Sequence, residues 1–159
     1  MSTTRFLGVG LSVLGLAACA QQQAVELSTG DASLNSRWHA NLASPATLAG
    51  IVQMSGSASM APASGGSTIV TLDLANASPG GVHPWEARLG QCGSEYDGGV
   101  FGATDAYEPL EVGSDGQATG IATVQMQTPE AGRYFVVVHA SDANSRTVVA
   151  CGNLAAPTR

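Results

Sequence analysis

Residues 132–140 read Gly132-Arg133-Tyr134-Phe135-Val136-Val137-Val138-His139-Ala140 (GRYFVVVHA), and this stretch decides the fold. Consecutive β-branched residues restrict side-chain rotamers in a helix and suit an extended, pleated chain. In a strand Tyr134, Val136 and Val138 share one side, and Phe135, Val137 and His139 share the other. Apolar residues on both sides predict a central strand covered on both faces.

The neighbouring sequence repeats the theme in shorter pieces. Downstream, Thr147–Cys151 (TVVAC) predicts a closing strand. Upstream, Ala118–Met126 alternates, and Ser114-Asp115-Gly116 before it forms a turn. Thr68–Leu74 places Val70, Leu72 and Leu74 on one face, and Ile69, Thr71 and Asp73 on the other. Further strands are expected at Arg37–Leu42, with Trp38 and Ala40 on one face, at Ala49–Met60 and at Val82–Leu89. A brief one is expected at Leu110–Val112. Ala61–Ser67 and Asn76–Gly81 are turns, and Gly90–Glu108 is expected to be mostly loop. About eight short strands with no helical period predict an all-β, antiparallel Greek-key β-sandwich or barrel.

Composition bounds the function. The chain has 159 residues, a length for one domain with a tail. Its six basic residues, all Arg, face twelve acidic ones, for a net charge of −6. Clustered positive charge is needed to neutralise phosphates, so no nucleic-acid partner is expected, nor a polybasic membrane patch. No P-loop, dinucleotide-binding glycine pattern, C-x-x-C, H-E-x-x-H or G-x-S-x-G motif occurs.

The first residues read as an address. Arg5 precedes Phe6–Ala18 (FLGVGLSVLGLAA), too short to span a bilayer, which takes ~20 apolar residues. It fits the apolar core of a secretory signal. Leu16-Ala17-Ala18-Cys19 resembles the lipobox of bacterial lipoproteins. The resemblance implies a signal peptide over residues 1–18, cut before a lipidated Cys19, and a membrane partner reached through acyl chains. Residues 19–35 then form a polar tether, and 36–159 the β domain. Ala20 is not Asp, which favours the outer membrane over inner-membrane retention. The expected location is the bacterial cell envelope.

Three cysteines occur: Cys19, Cys92 and Cys151. Lipidation of Cys19 leaves one pair, which an oxidising compartment would let join; two buried free thiols are the other reading.

Gly81-Val82-His83-Pro84-Trp85-Glu86-Ala87-Arg88, with Cys92 after it, and Val136-Val137-Val138-His139-Ala140, with Ala150-Cys151-Gly152 after it, together resemble the copper/zinc superoxide dismutase family. That family carries a G-x-H-G-F-H-x-H strand, a later V-V-H strand and a terminal A-C-G. Tyr107-Glu108-Pro109-Leu110 and the Asp115-Gly116 turn are also similar to its smaller bacterial relatives. The resemblance spans Arg37 to Leu154, with its motifs in the family's order along the chain. It implies a superoxide dismutase-like fold with a Cys92–Cys151 disulfide. It leaves a homodimer open, since dismutases often pair.

The departures from the family's pattern set the functional expectation. Where the enzymes have the H-x-H copper ligands, this chain has Glu86 and Arg88. Only His139 matches a copper-ligand position, and His83 matches a structural His. Three His in all (His39, His83, His139) cannot supply a four-His copper site with zinc beside it. An Arg at a ligand position places a fixed cation where a cation must bind. The expectation is a non-catalytic envelope lipoprotein, a binding or structural module with an unidentified partner, without cofactor, metal ligands or catalytic residues. The alternative is residual copper binding or dismutase activity through His83 and His139. His39 is expected to face solvent, Trp38 and Trp85 to lie in or cap the core, and Arg146 to be a solvated surface residue. Glu95, Asp97, Asp105, Glu108 and Glu111 cluster in sequence where calcium or another hard cation could bind, although no EF-hand spacing supports such a site.

Overall fold

The computed structural model describes residues 36–51, 53–94 and 97–158. The signal segment, Cys19, the tether to residue 35, and Glu95 lie outside the described residues.

Ten strands form among the described residues: β1 (Trp38–Ala43), β2 (Ser55–Pro62), β3 (Thr68–Ala75), β4 (Val82–His83), β5 (Trp85–Gly90), β6 (Asp97–Val100), β7 (Leu110–Glu111), β8 (Ala118–Val124), β9 (Tyr134–His139) and β10 (Val148–Leu154). Eight of them make one antiparallel sheet in the order β6-β5-β9-β10-β1-β2-β3-β8, while β4 and β7 pair separately. The chain therefore leaves β3 at one end of the sheet, builds β5 and β6 at the other, returns to β8 and crosses again to β9. This exchange is of the Greek-key type. The sheet curls without closing, so it is a half-barrel with β6 and β8 as its edges. The expected all-β antiparallel class is the one observed.

Alternation explains the core. β8 follows a strict buried-exposed pattern, and so does β1. The inner faces of the two halves meet: Met60, Val70 and Leu72 from one, Trp85, Ala87, Val136 and Val138 from the other, all within one cluster. Trp38 and Trp85 are both buried, as expected of core residues. Each satisfies its indole N–H on a loop carbonyl, Trp38 on Pro129 at 3.0 Å and Trp85 on Glu108 at 2.7 Å. β9 lies between β5 and β10, and Phe135, Val137 and Cys151 form a second apolar cluster on its outer side. That is the two-sided covering its sequence predicts.

Two expectations need correction. The second strand starts at Ser55, not Ala49: residues 46–48 form a 3-10 turn, and Gly50 follows at φ 83°, a left-handed value that suits glycine and breaks a strand. Val82–Leu89 is not one strand. Pro84 has no N–H to donate, and the chain changes sheets there, with β4 pairing β7 and β5 pairing β9. Gly90–Glu108 is mostly loop, as expected, and it also contains β6. Gly98 lies so close to Leu89 that a Cβ would meet its side chain at 2.8 Å, so the glycines that suggest a loop permit the pairing. Smaller shifts also occur: β10 runs on to Leu154, and β8 stops at Val124.

Candidate functional site

A groove of about 1040 Å³ opens on the outer face of β5, β9 and β10. Sheet register builds its floor. Glu86 lies opposite Val137, Arg88 opposite Phe135, and Val137 in turn opposite Cys151. Apolar side chains and the disulfide thus line the base, with two opposite charges along one margin. Loops supply the walls: Ser44–Ala46 after β1, Gln91–Ser94 after β5, Thr104 to Pro109 before β7, and Asp142 to Arg146 between β9 and β10.

Cys92 and Cys151 are joined, with Cα atoms 5.9 Å apart. The bond ties the Gln91–Ser94 wall to β10. The Cys92 N–H donates to Asn153 Oδ1 at 2.8 Å and reinforces the same attachment.

Glu86 and Arg88 sit two residues apart on β5 and therefore on one face, where their side chains form an ion pair. The pair is largely shielded, at 12% and 20% side-chain exposure. His139 Nε2 lies 3.7 Å from the Glu86 carboxylate. Burial acts most strongly on Glu86 and opposes its charge. The interactions with His139 and Arg88 together outweigh it and hold the carboxyl below its ordinary value. Glu86 is thus a fixed anion at neutral pH, already committed to a guanidinium.

His83 is buried, and its Nδ1–H donates to the His139 carbonyl at 3.0 Å. The His139 N–H donates to Pro84 O at 2.8 Å. The main chain of His139 is clamped from both sides, which fixes the end of β9 against the start of β5. His39 is exposed, as expected.

Tyr107 stands edge-on to Trp85, with ring centroids 5.2 Å apart. It donates its hydroxyl to Phe101 O at 2.7 Å. Burial pushes that hydroxyl above its ordinary value, and the charge of Glu86 adds to the effect. Tyr107 therefore acts here as a neutral strut for the groove wall.

The donor set does not fit copper. At the positions of interest stand one imidazole, one carboxylate bound to a guanidinium, and that guanidinium itself. His83 donates Nδ1–H to a carbonyl and adds at most one further imidazole nitrogen, Nε2, to that set. Copper and zinc prefer converging imidazole and sulfur ligands, and Arg88 would repel either ion. Among the described residues no three His, Cys, Asp or Glu converge, so Asp105, Glu108 and Glu111 do not gather into a calcium site.

Sequence reasoning left several lining residues unplaced. Arg146 is exposed, as expected, but it stands on the groove's rim with Asp142 and Ser145. Phe135 and Val137 were legible as apolar, but not as a groove floor. No protein-family model matches the chain, and no match to a curated protein is found.

Proposed function

We propose that the protein is a non-catalytic, superoxide dismutase-like lipoprotein of the bacterial cell envelope. In this reading the groove over β5, β9 and β10 is a binding surface, and the lipid on Cys19 holds the domain at a membrane. The observation that carries the reading is the Glu86–Arg88 pair. On the resemblance, it stands where the enzymes of that family place two copper ligands, and here the two side chains form a shielded ion pair. Fold resemblance alone licenses no activity, so the argument rests on these side chains.

A dismutase must cycle copper between two redox states. Among the described residues, no three His, Cys, Asp or Glu side chains come together to offer the ligands that such cycling needs. What supports binding instead is a groove with an apolar floor, an aromatic wall and charged groups at its margins. A small amphiphilic molecule or a short peptide segment of an envelope partner suits that lining.

The test is metal content and dismutase turnover in the full protein purified from an envelope and offered copper and zinc. The expected result is no stoichiometric metal and no turnover above the free-ion background. Tightly held copper with turnover through His83 and His139 overturns the reading.

A further inference from the structure

We propose that the end of the half-barrel where the chain enters β1 rests on the phospholipid surface, with Met126 at the point of contact and the acidic opposite end held away from the membrane. The inference rests on the lipoprotein reading above and adds to it which surface of the domain meets the lipid. Register defines the two ends. Trp38 lies opposite Met60, Thr68 opposite Val124, and Leu154 opposite Tyr134, while His39 bridges to Ala155. The start of β1 therefore shares one end with residues 63–67, the segment after β8 and the start of β9. Residues 19–35 precede Ser36 and join the domain there. At full stretch they reach roughly 60 Å, at ~3.5 Å per residue, enough to hold the domain clear of a bilayer. Contact has to come from the surface itself.

Apolar side chains stand exposed at that end on a fixed platform. Met126 is 46% exposed, and Ile69 at the start of β3 and Leu89, opposite Tyr134, are exposed as well. The segment that carries Met126 is pinned and does not fold back over it. The Met126 carbonyl accepts from Thr68 Oγ1 at 2.7 Å, and the Pro129 carbonyl accepts from the Trp38 indole at 3.0 Å. Thr128 Oγ1 lies 2.8 Å from Thr68 Oγ1. The neighbouring stretches 63–67 (ASGGS) and 125–127 (QMQ) carry no charge. An apolar residue held out on an uncharged rim suits the headgroup boundary of a bilayer.

Charge decides which end faces lipid. Around the chain entry Arg37 and Arg133 stand against Glu130 and, on the seam beside Met126, Asp105, so this end is neutral. At the other end Asp73, Glu111, Asp115 and Asp142 are exposed, against the single guanidinium of Arg146 among the described residues. A leaflet that contains anionic lipid repels that acidic end and tolerates the neutral one. Ile51, in the loop after β1, is 82% exposed but belongs to the acidic end, so exposure alone does not select the contact. Two of the groove's walls, 44–46 and 142–146, also belong to the acidic end. A domain docked through Met126 therefore keeps its groove open to the envelope space.

The test places the full chain in vesicles of phosphatidylethanolamine and phosphatidylglycerol that contain a quencher-bearing lipid. A fluorophore is attached to one introduced cysteine at a time, with the Cys92–Cys151 disulfide kept. A label at Met126→Cys is expected to be quenched several-fold more than one at Ile51→Cys, although Ile51 is the more exposed position. A label at Ile69→Cys is expected to follow Met126→Cys. Adding Met126→Glu to Ile69→Cys is expected to bring its quenching down to the Ile51→Cys level. Equal quenching at the two ends, quenching at neither, or stronger quenching at Ile51→Cys overturns the proposal. Mass spectrometry of the Cys19 peptide reads the anchor separately. A lipid-free Cys19 removes the lipoprotein reading and this inference with it, whereas a lipidated Cys19 with no difference between the ends removes this inference alone.

Discussion

The outer faces of β5-β9-β10 and of β1-β2-β3-β8 belong to one curled sheet, yet they are built differently. The first is overhung by four loops, stapled by a disulfide and charged by Glu86 and Arg88. The second carries Ser55, Ser57, Thr71, Thr119 and Thr123, small hydroxyl side chains with few neighbours above them. Regular alternation and uninterrupted register are enough to hold the second half. The first half needs cross-links because its walls are irregular chain with little buried area of their own. The difference teaches where stability and binding are separated: the plain half supplies the frame, and the loop-bearing half holds a groove open.

Removing the disulfide gives the largest expected effect on that contrast. Cys92 and Cys151 are 59 residues apart in sequence. Chain-entropy arithmetic for a loop of that size gives ~4 kcal/mol. The double variant Cys92→Ser/Cys151→Ser is therefore expected to lose about that much in a urea titration. A loss near zero would mean that the walls are held by other contacts, and would erase the contrast.

How far the sequence reveals each half follows from what sets it. β3 and β8 are local patterns: every second residue is buried, and Val70, Leu72 and Leu74 declare their face without help from the rest of the chain. β9 declares its central place through apolar residues on both sides. The cysteine pair is legible through its odd third partner. The groove walls are not legible, because Ser44, Thr104 and Arg146 meet only after the Greek-key exchange brings distant loops together. β6 escapes notice since its glycines have two meanings. They mark loops in general, but at Gly98 glycine is what allows two backbones to approach. Pro84 marks the break between β4 and β5, while the residues on its two sides also suit one continuous strand.

A smaller effect is expected from Glu86→Gln. The substitution removes the shielded carboxylate that pairs with the Arg88 guanidinium, which is expected to cost ~1–3 kcal/mol at neutral pH. The pH dependence has a definite sign. The Glu86 carboxyl is held below its ordinary value of 4.5. Its contribution is complete above that value and is lost as pH falls through the lower folded-state value. The gap in urea midpoint between the natural chain and Glu86→Gln should therefore narrow on acidification. A gap that is constant from neutral pH to strong acid would show that the charge of Glu86 contributes nothing to the fold.

The smallest effect belongs to the plain face. Ser59 Oγ and Thr71 Oγ1 lie 2.7 Å apart, directly opposite one another on β2 and β3. Ser59 is nearly covered, so its hydroxyl has little water to turn to if Thr71 is truncated. Thr71→Ala should cost ~1 kcal/mol, and Ser59→Ala a similar amount or less. The two together should cost less than their sum, because removing both partners leaves no stranded hydroxyl. A double-mutant cycle in urea reads that coupling. Strict additivity would mean that each hydroxyl is satisfied by solvent, and that even the plain half relies on its buried face alone.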